Sequence, residues 1–121
     1  MRLYHGTDLF SATRFLAGEV LDAARAAALK TDGPPGFFLA TDIADAEFFA
    51  LRQMRGNAVV LAVDFSDAAA GALVAAGALC RPIPRGPQSP WFVGEEWVIP
   101  PALFELYNQL LQKNEIHLSP T

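Results

Sequence analysis

Between Arg81 and Pro90 the chain reads Arg-Pro-Ile-Pro-Arg-Gly-Pro-Gln-Ser-Pro, four prolines and one glycine in ten residues. No other segment constrains the fold as much. Proline has no amide proton to donate, so it is barred from helix interiors and from central strand ladders. The segment therefore predicts a long exposed loop. After it, Trp91 to Ile99 resumes strand composition, and Pro100-Pro101 ends that strand with Pro101 placed to open a final helix running to about Gln112.

Upstream of the loop the chain alternates short strands and helices without a regular winding. Residues 2–5 predict a strand stopping at Gly6, and Asp8 to Leu16 and Glu19 to Leu29 predict two helices from their apolar spacing. Asp32-Gly33-Pro34-Pro35-Gly36 is a loop, and Phe37 to Ala40 is a compact apolar strand. Asp42 suits the N-cap of a helix from Ile43 to about Met54, closed by Gly56. Ala58 to Phe65 has the clearest strand composition, and Ser66 caps an alanine helix ending near Gly77. About four strands with helices inserted irregularly make an α+β pattern.

The 121 residues suit one domain, 1–121. An apolar fraction of 52% against 18% charged residues can build a core, although alanine supplies much of it and the nine phenylalanines carry more burial each. The longest charge-free stretch, Ala68 to Cys80, falls short of the roughly 20 residues a spanning helix needs. No signal peptide is visible at the N-terminus, so a cytoplasmic protein with no membrane partner is expected. A single cysteine, Cys80, excludes an intramolecular disulfide framework, and a net charge of −4 gives no footprint of a general nucleic-acid binder.

Three segments carry residues suited to chemistry. In Leu3-Tyr4-His5-Gly6-Thr7, histidine can bond a ligand hydroxyl and glycine lets the backbone approach an amide group. The same residues also suit a plain strand-to-loop junction. In Gly36-Phe37-Phe38-Leu39-Ala40, followed by Ala46, Phe48 and Phe49, two aromatic faces could hold a flat heterocycle or simply fill a core. In Gly94-Glu95-Glu96-Trp97-Val98-Ile99, strand alternation sends the two carboxylates to opposite faces, Glu96 with Val98 and Glu95 with Trp97. A carboxylate on a buried strand face must be paired, protonated or functional. Arg85, Trp91 and Phe92 lie in the loop leading to Glu96 and are candidates for recognising a substrate.

The order and spacing of these segments, from residue 3 to residue 100, resemble the ADP-ribosyltransferase superfamily in its diphtheria-toxin-like and poly(ADP-ribose)-polymerase branch. That branch reads His-Gly-Ser/Thr after its first strand, then Gly-x-Tyr with a following helix, then a late glutamate before aromatic and β-branched residues. The matching positions here are His5-Gly6-Thr7, Gly36-Phe37-Phe38 with Asp45-Ala46-Glu47-Phe48, and Glu96-Trp97-Val98-Ile99. Phe38 stands where the family usually has tyrosine, and Asp45 is nearest to the serine that the polymerase branch carries at the helix start.

The resemblance implies an ADP-ribosyltransferase-like fold of split small β-sheets with flanking short helices. It implies NAD as co-substrate and no metal. Glu96 would be the catalytic carboxylate, bonding the nicotinamide-ribose hydroxyl and stabilising an oxocarbenium-like ribose. His5, also in the catalytic set, would hold the adenosine ribose, with Gly6 and Thr7 beside it. Phe38 and Phe48 would clamp the nicotinamide, so His5, Phe38, Phe48 and Glu96 are expected in one cleft. It further implies a macromolecular acceptor, protein or nucleic acid, and, by family habit, a small bacterial effector or toxin-type protein with a cognate inhibitor. Two rivals stand beside it: a non-catalytic NAD, ADP-ribose or protein-interaction module, and an RNA 2′-phosphotransferase-like enzyme, which shares a Val-Val-Leu-x-Val-Asp strand like Val59–Asp64 and a late Pro-Pro.

Overall fold

The computed structural model describes residues 1–28, 35–53, 57–84 and 92–121. Its first strand, β1 (Arg2–Asp8), runs straight through Gly6 and ends where Asp8 caps helix α1 (Leu9–Leu16), its carboxylate accepting the Ser11 N–H at 2.7 Å. A short helix α2 (Ala23–Ala28) follows, then β2 (Phe37–Ala40). Asp42 accepts the Ala44 N–H at 2.8 Å and so opens α3 (Ile43–Gln53). Met54 and Gly56, expected to close this helix, lie outside the described residues. Next come β3 (Ala58–Phe65) and α4 (Asp67–Ala76), the latter capped by the Ser66 hydroxyl and ended by Gly77 at φ 119°, a left-handed conformation that favours glycine.

Two strands were not expected. Leu79–Pro82 forms β4, inside the segment expected to be loop from Arg81 on. Proline is tolerated there because β4 is an edge strand with one side free of ladder bonds. The other, β6 (Ile116–Pro120), follows a turn in which Asn114 takes φ 59°. Between them lie β5 (Glu95–Ile99), shorter than expected, a 3₁₀ turn at Pro101–Leu103, and α5 (Phe104–Gln112).

All six strands join one antiparallel sheet in the order β4-β5-β2-β1-β3-β6. The fold is thus α+β, and the expected pair of split sheets gives way to a single one. Its central seam is nonetheless narrow. β1 registers with β3 at seven positions, Arg2 to Asp8, but with β2 at Tyr4↔Ala40 alone.

Alternation sorts the side chains onto two faces. Leu3, Phe37, Leu39, Val63, Phe65, Trp97 and Ile99 point to a main core closed by residues of α1, α2, α4 and α5, with Leu73, Phe104 and Tyr107 fully or nearly buried. The other face carries α3, whose Ala46 packs with Tyr4, Ala40 and Val60. Gly6 makes that approach possible. A Cβ there would collide with the Ala46 carbonyl oxygen and crowd Ala50.

Candidate functional site

The three segments singled out in the sequence fall on β1, β2 and β5, which are consecutive in the sheet. Register then decides which side chains meet. Ala40 pairs with Glu96 on one side and with Tyr4 on the other, so Glu96, Ala40 and Tyr4 share the α3 face. Phe38 pairs with Val98 and shares that face too. His5 is one residue out of phase with Tyr4 and belongs to the main-core face, where its ring lies 4.2 Å from Phe37 and 5.6 Å from Phe15 between centroids. His5 and Glu96 therefore sit on opposite faces, two strand spacings apart, about 10 Å between backbones.

What links His5 to the second segment is a hydrogen bond across the seam. Its Nδ1 lies 2.7 Å from the Phe38 carbonyl oxygen. A carbonyl only accepts, so Nδ1 carries the proton and Nε2 of the neutral ring is left as an acceptor. Burial holds the imidazole pKa down to about 4, against smaller upward pulls from the Phe38 carbonyl and Asp8. At neutral pH the ring is uncharged and fixed in one tautomer.

The same seam exposes the backbone of Gly6. The Met1–Phe65 exchange and the Leu9 N–H to Asn57 carbonyl bond show that odd-numbered residues of β1 bond to β3. Even-numbered residues must then direct N–H and C=O toward β2. For Tyr4 the partner is Ala40; at Gly6 β2 has no registered pair among the described residues. Thr7 is buried on the main-core face opposite Val59.

Glu96 is buried, with a side-chain exposure of 7%, and Oε1 accepts the Nε–H of Arg81 at 3.1 Å. Arg81 stands directly opposite it on β4. Glu95 is exposed. The residues ahead of Glu96 are fastened to α3 and its entry corner. Buried Asp45 accepts the N–H groups of Val93 (3.0 and 3.2 Å) and Gly94 (2.8 Å), while Thr41 Oγ1 accepts the Glu95 N–H at 2.9 Å. Gly94 is needed there, because a Cβ would strike Thr41 Oγ1.

Phe48 does not face Phe38 in ring contact; it meets Phe92 edge-on at 5.4 Å, and Phe92 stacks on Phe49 at 5.2 Å. Phe92, a candidate for substrate recognition, is accordingly a buried anchor. Arg85 and Trp91, the other two, lie outside the described residues.

Two residues take roles that the sequence did not suggest: Arg81, in the segment expected to be loop, pairs with Glu96, and Asp45, matched to the serine at the helix start, accepts backbone N–H groups. Cross-strand register reveals the first, and the second is spent on backbone donors. Among the described residues, no group of three or more His, Cys, Asp or Glu side chains is placed to hold a metal, and no helix is long and apolar enough to cross a membrane. A groove of about 440 Å³ lies on the β3 side of α3, lined by residues including Glu47, Leu51, Val59 and Thr121 and not by Glu96. Compared with known proteins, the chain matches no family model, no curated protein and no solved structure.

Proposed function

We propose that this chain is an NAD-dependent ADP-ribosyltransferase that transfers one ADP-ribose unit to a macromolecule. The observation that carries the reading is the adjacency of β5, β2 and β1, which joins three motif segments spread over more than ninety residues.

The single cleft that the resemblance implied for His5, Phe38, Phe48 and Glu96 is not what the register gives, since His5 and Glu96 stand on opposite faces. Each position nonetheless offers chemistry that supports the reading. Glu96 presents a carboxylate on a side chain only 7% exposed, with Oε1 accepting from Arg81 Nε. A carboxylate oxygen so placed can accept a ribose hydroxyl and stabilise positive charge as the nicotinamide bond breaks. The backbone N–H and C=O of Gly6, aimed into the seam, match the donor and acceptor of a carboxamide. His5 Nε2 is an acceptor suited to a second ribose hydroxyl. Phe38 offers a half-buried apolar ring on the face of Glu96. The acceptor is a protein or nucleic acid, and a small effector or toxin acting in the cytoplasm, held by an inhibitor protein, remains the biological setting this reading suggests.

A second reading has its own support. α3 lies hard against the Cα of Gly6, and Phe38 lacks the phenol of the resembled family. Both suit a module that binds NAD or ADP-ribose without turning it over. One experiment separates the two: incubate the protein with NAD⁺ and follow both binding and free nicotinamide. Release by the wild type, lost in Glu96→Gln, supports the transferase. Binding without release supports the module, and neither binding nor release overturns both.

A further inference from the structure

The ion pair on Glu96 has a one-sided geometry. The carboxylate is enclosed in the sheet, whereas Arg81, with 42% of its side chain exposed, stands at the open edge strand. The two are directly cross-strand, so their Cβ atoms are held about 5 Å apart by the ladder. Arg81 bonds through Nε to Oε1, so its hold falls on one of the two carboxylate oxygens. Glutamate has three side-chain torsions, and a buried carboxylate without a counter-charge is costly. Among the described residues, the ion pair that Glu96 makes is the one with Arg81.

We propose that Arg81 is the positioning residue of Glu96, resting on the transferase reading. It fixes one carboxylate oxygen so that the other meets the substrate ribose hydroxyl, and it does not itself touch NAD. Pro82 and Pro84 follow it on the chain and stiffen the strand exit from which it acts. The guanidinium is matched to this task better than an ammonium, because Nε–H is a directional donor held in the plane of the group.

The test uses the full chain and its Arg81→Gln, Arg81→Lys and Glu96→Gln variants, with the Arg81→Gln/Glu96→Gln double variant. Nicotinamide release is measured over a range of NAD⁺ concentrations, NAD⁺ affinity by calorimetry, and folding by thermal melting. Arg81→Gln should lower kcat about 10- to 100-fold, the scale of loss when a reacting group is misplaced, with the dissociation constant for NAD⁺ changed less than about threefold. Arg81→Lys should recover part of the loss. In the Glu96→Gln background, Arg81→Gln should add nothing, because the interaction it supports is already gone. Full kcat in Arg81→Gln would overturn the proposal. So would weakened NAD⁺ binding at unchanged kcat, which would make Arg81 a phosphate contact, or additive losses in the double variant. If the melting point of Arg81→Gln collapses, the kcat and affinity of Arg81→Lys decide by the same criteria. Absence of nicotinamide release from the wild type would instead overturn the transferase reading, and the positioning role with it.

Discussion

His5 is held uncharged by its surroundings, and that has a consequence for stability. Its pKa falls from an ordinary 6.5 to about 4 in the folded protein, so the unfolded chain binds the proton more readily. The contribution is fully present above pH 6.5 and is lost as pH falls toward 4, up to about 3 kcal/mol before allowance for the partial exposure of the ring. Urea midpoints between pH 7 and pH 4 should therefore fall more steeply in the wild type than in His5→Asn, whose amide can still donate to the Phe38 carbonyl. Equal slopes would mean that the ring is not buried as described. Glu96 and Glu95 offer a second contrast at this scale, since one is buried beside Arg81 and the other is exposed. Under the proposed function, Glu96→Gln should reduce nicotinamide release about 10²- to 10³-fold, and Glu95→Gln should do far less. Comparable losses in steady-state rates would contradict the register. Phe38→Tyr should preserve NAD⁺ affinity and Phe38→Ala weaken it, as read by calorimetry; affinity lost in Phe38→Tyr would place that ring in the packing instead.

Asp45 joins two elements, α3 and the approach to β5. Replacing it by alanine leaves the Val93 and Gly94 N–H groups without their acceptor, at a cost of about 2–4 kcal/mol for two donors. Chemical denaturation should register this, and amide exchange at residues 93–95 should quicken with it; an unchanged midpoint would show that water replaces the carboxylate freely. The elements legible in the sequence were those whose signals are local. Phe37–Ala40 and Ala58–Phe65 are apolar runs bounded by turns, and Ser66 and Gly77 bracket α4 by side-chain and backbone geometry alone. Gly6 misled, because a glycine that permits a helix to touch a strand looks like a strand stop. Leu79–Pro82 and Ile116–Pro120 were hidden because short edge strands are defined by the partner they pair with, and neither prolines nor five residues of mixed polarity announce that partner. The candidate site divides the same way. Residue types were readable, but the separation of His5 from Glu96 depends on a register that only the assembled sheet contains.

At the scale of the whole molecule, the sheet is well knit on one side of β1 and barely joined on the other. Amides in β3 and the odd-numbered residues of β1 should exchange only through global unfolding, whereas those of edge strands β4 and β6 and of the β1–β2 seam should exchange through local opening. Hydrogen exchange across a denaturant series would distinguish the two classes, and uniform protection across the sheet would show the seam to be as firm as the rest. The strand order has a further consequence for the way the protein is made. One of the two central strands, β1, is the first of the six to be synthesised, yet its seven-pair partner lies some fifty to sixty residues later, and β5 arrives later still. Such distant pairings impose a large loop-closure cost and slow folding. All of β1, α3 and β3 precede Glu96 in the chain, so the carboxylate on which the proposed chemistry depends is added after the residues of the sheet's best-paired strands. Ribosome-bound intermediates stalled before residue 96 would be inert, whatever their degree of order.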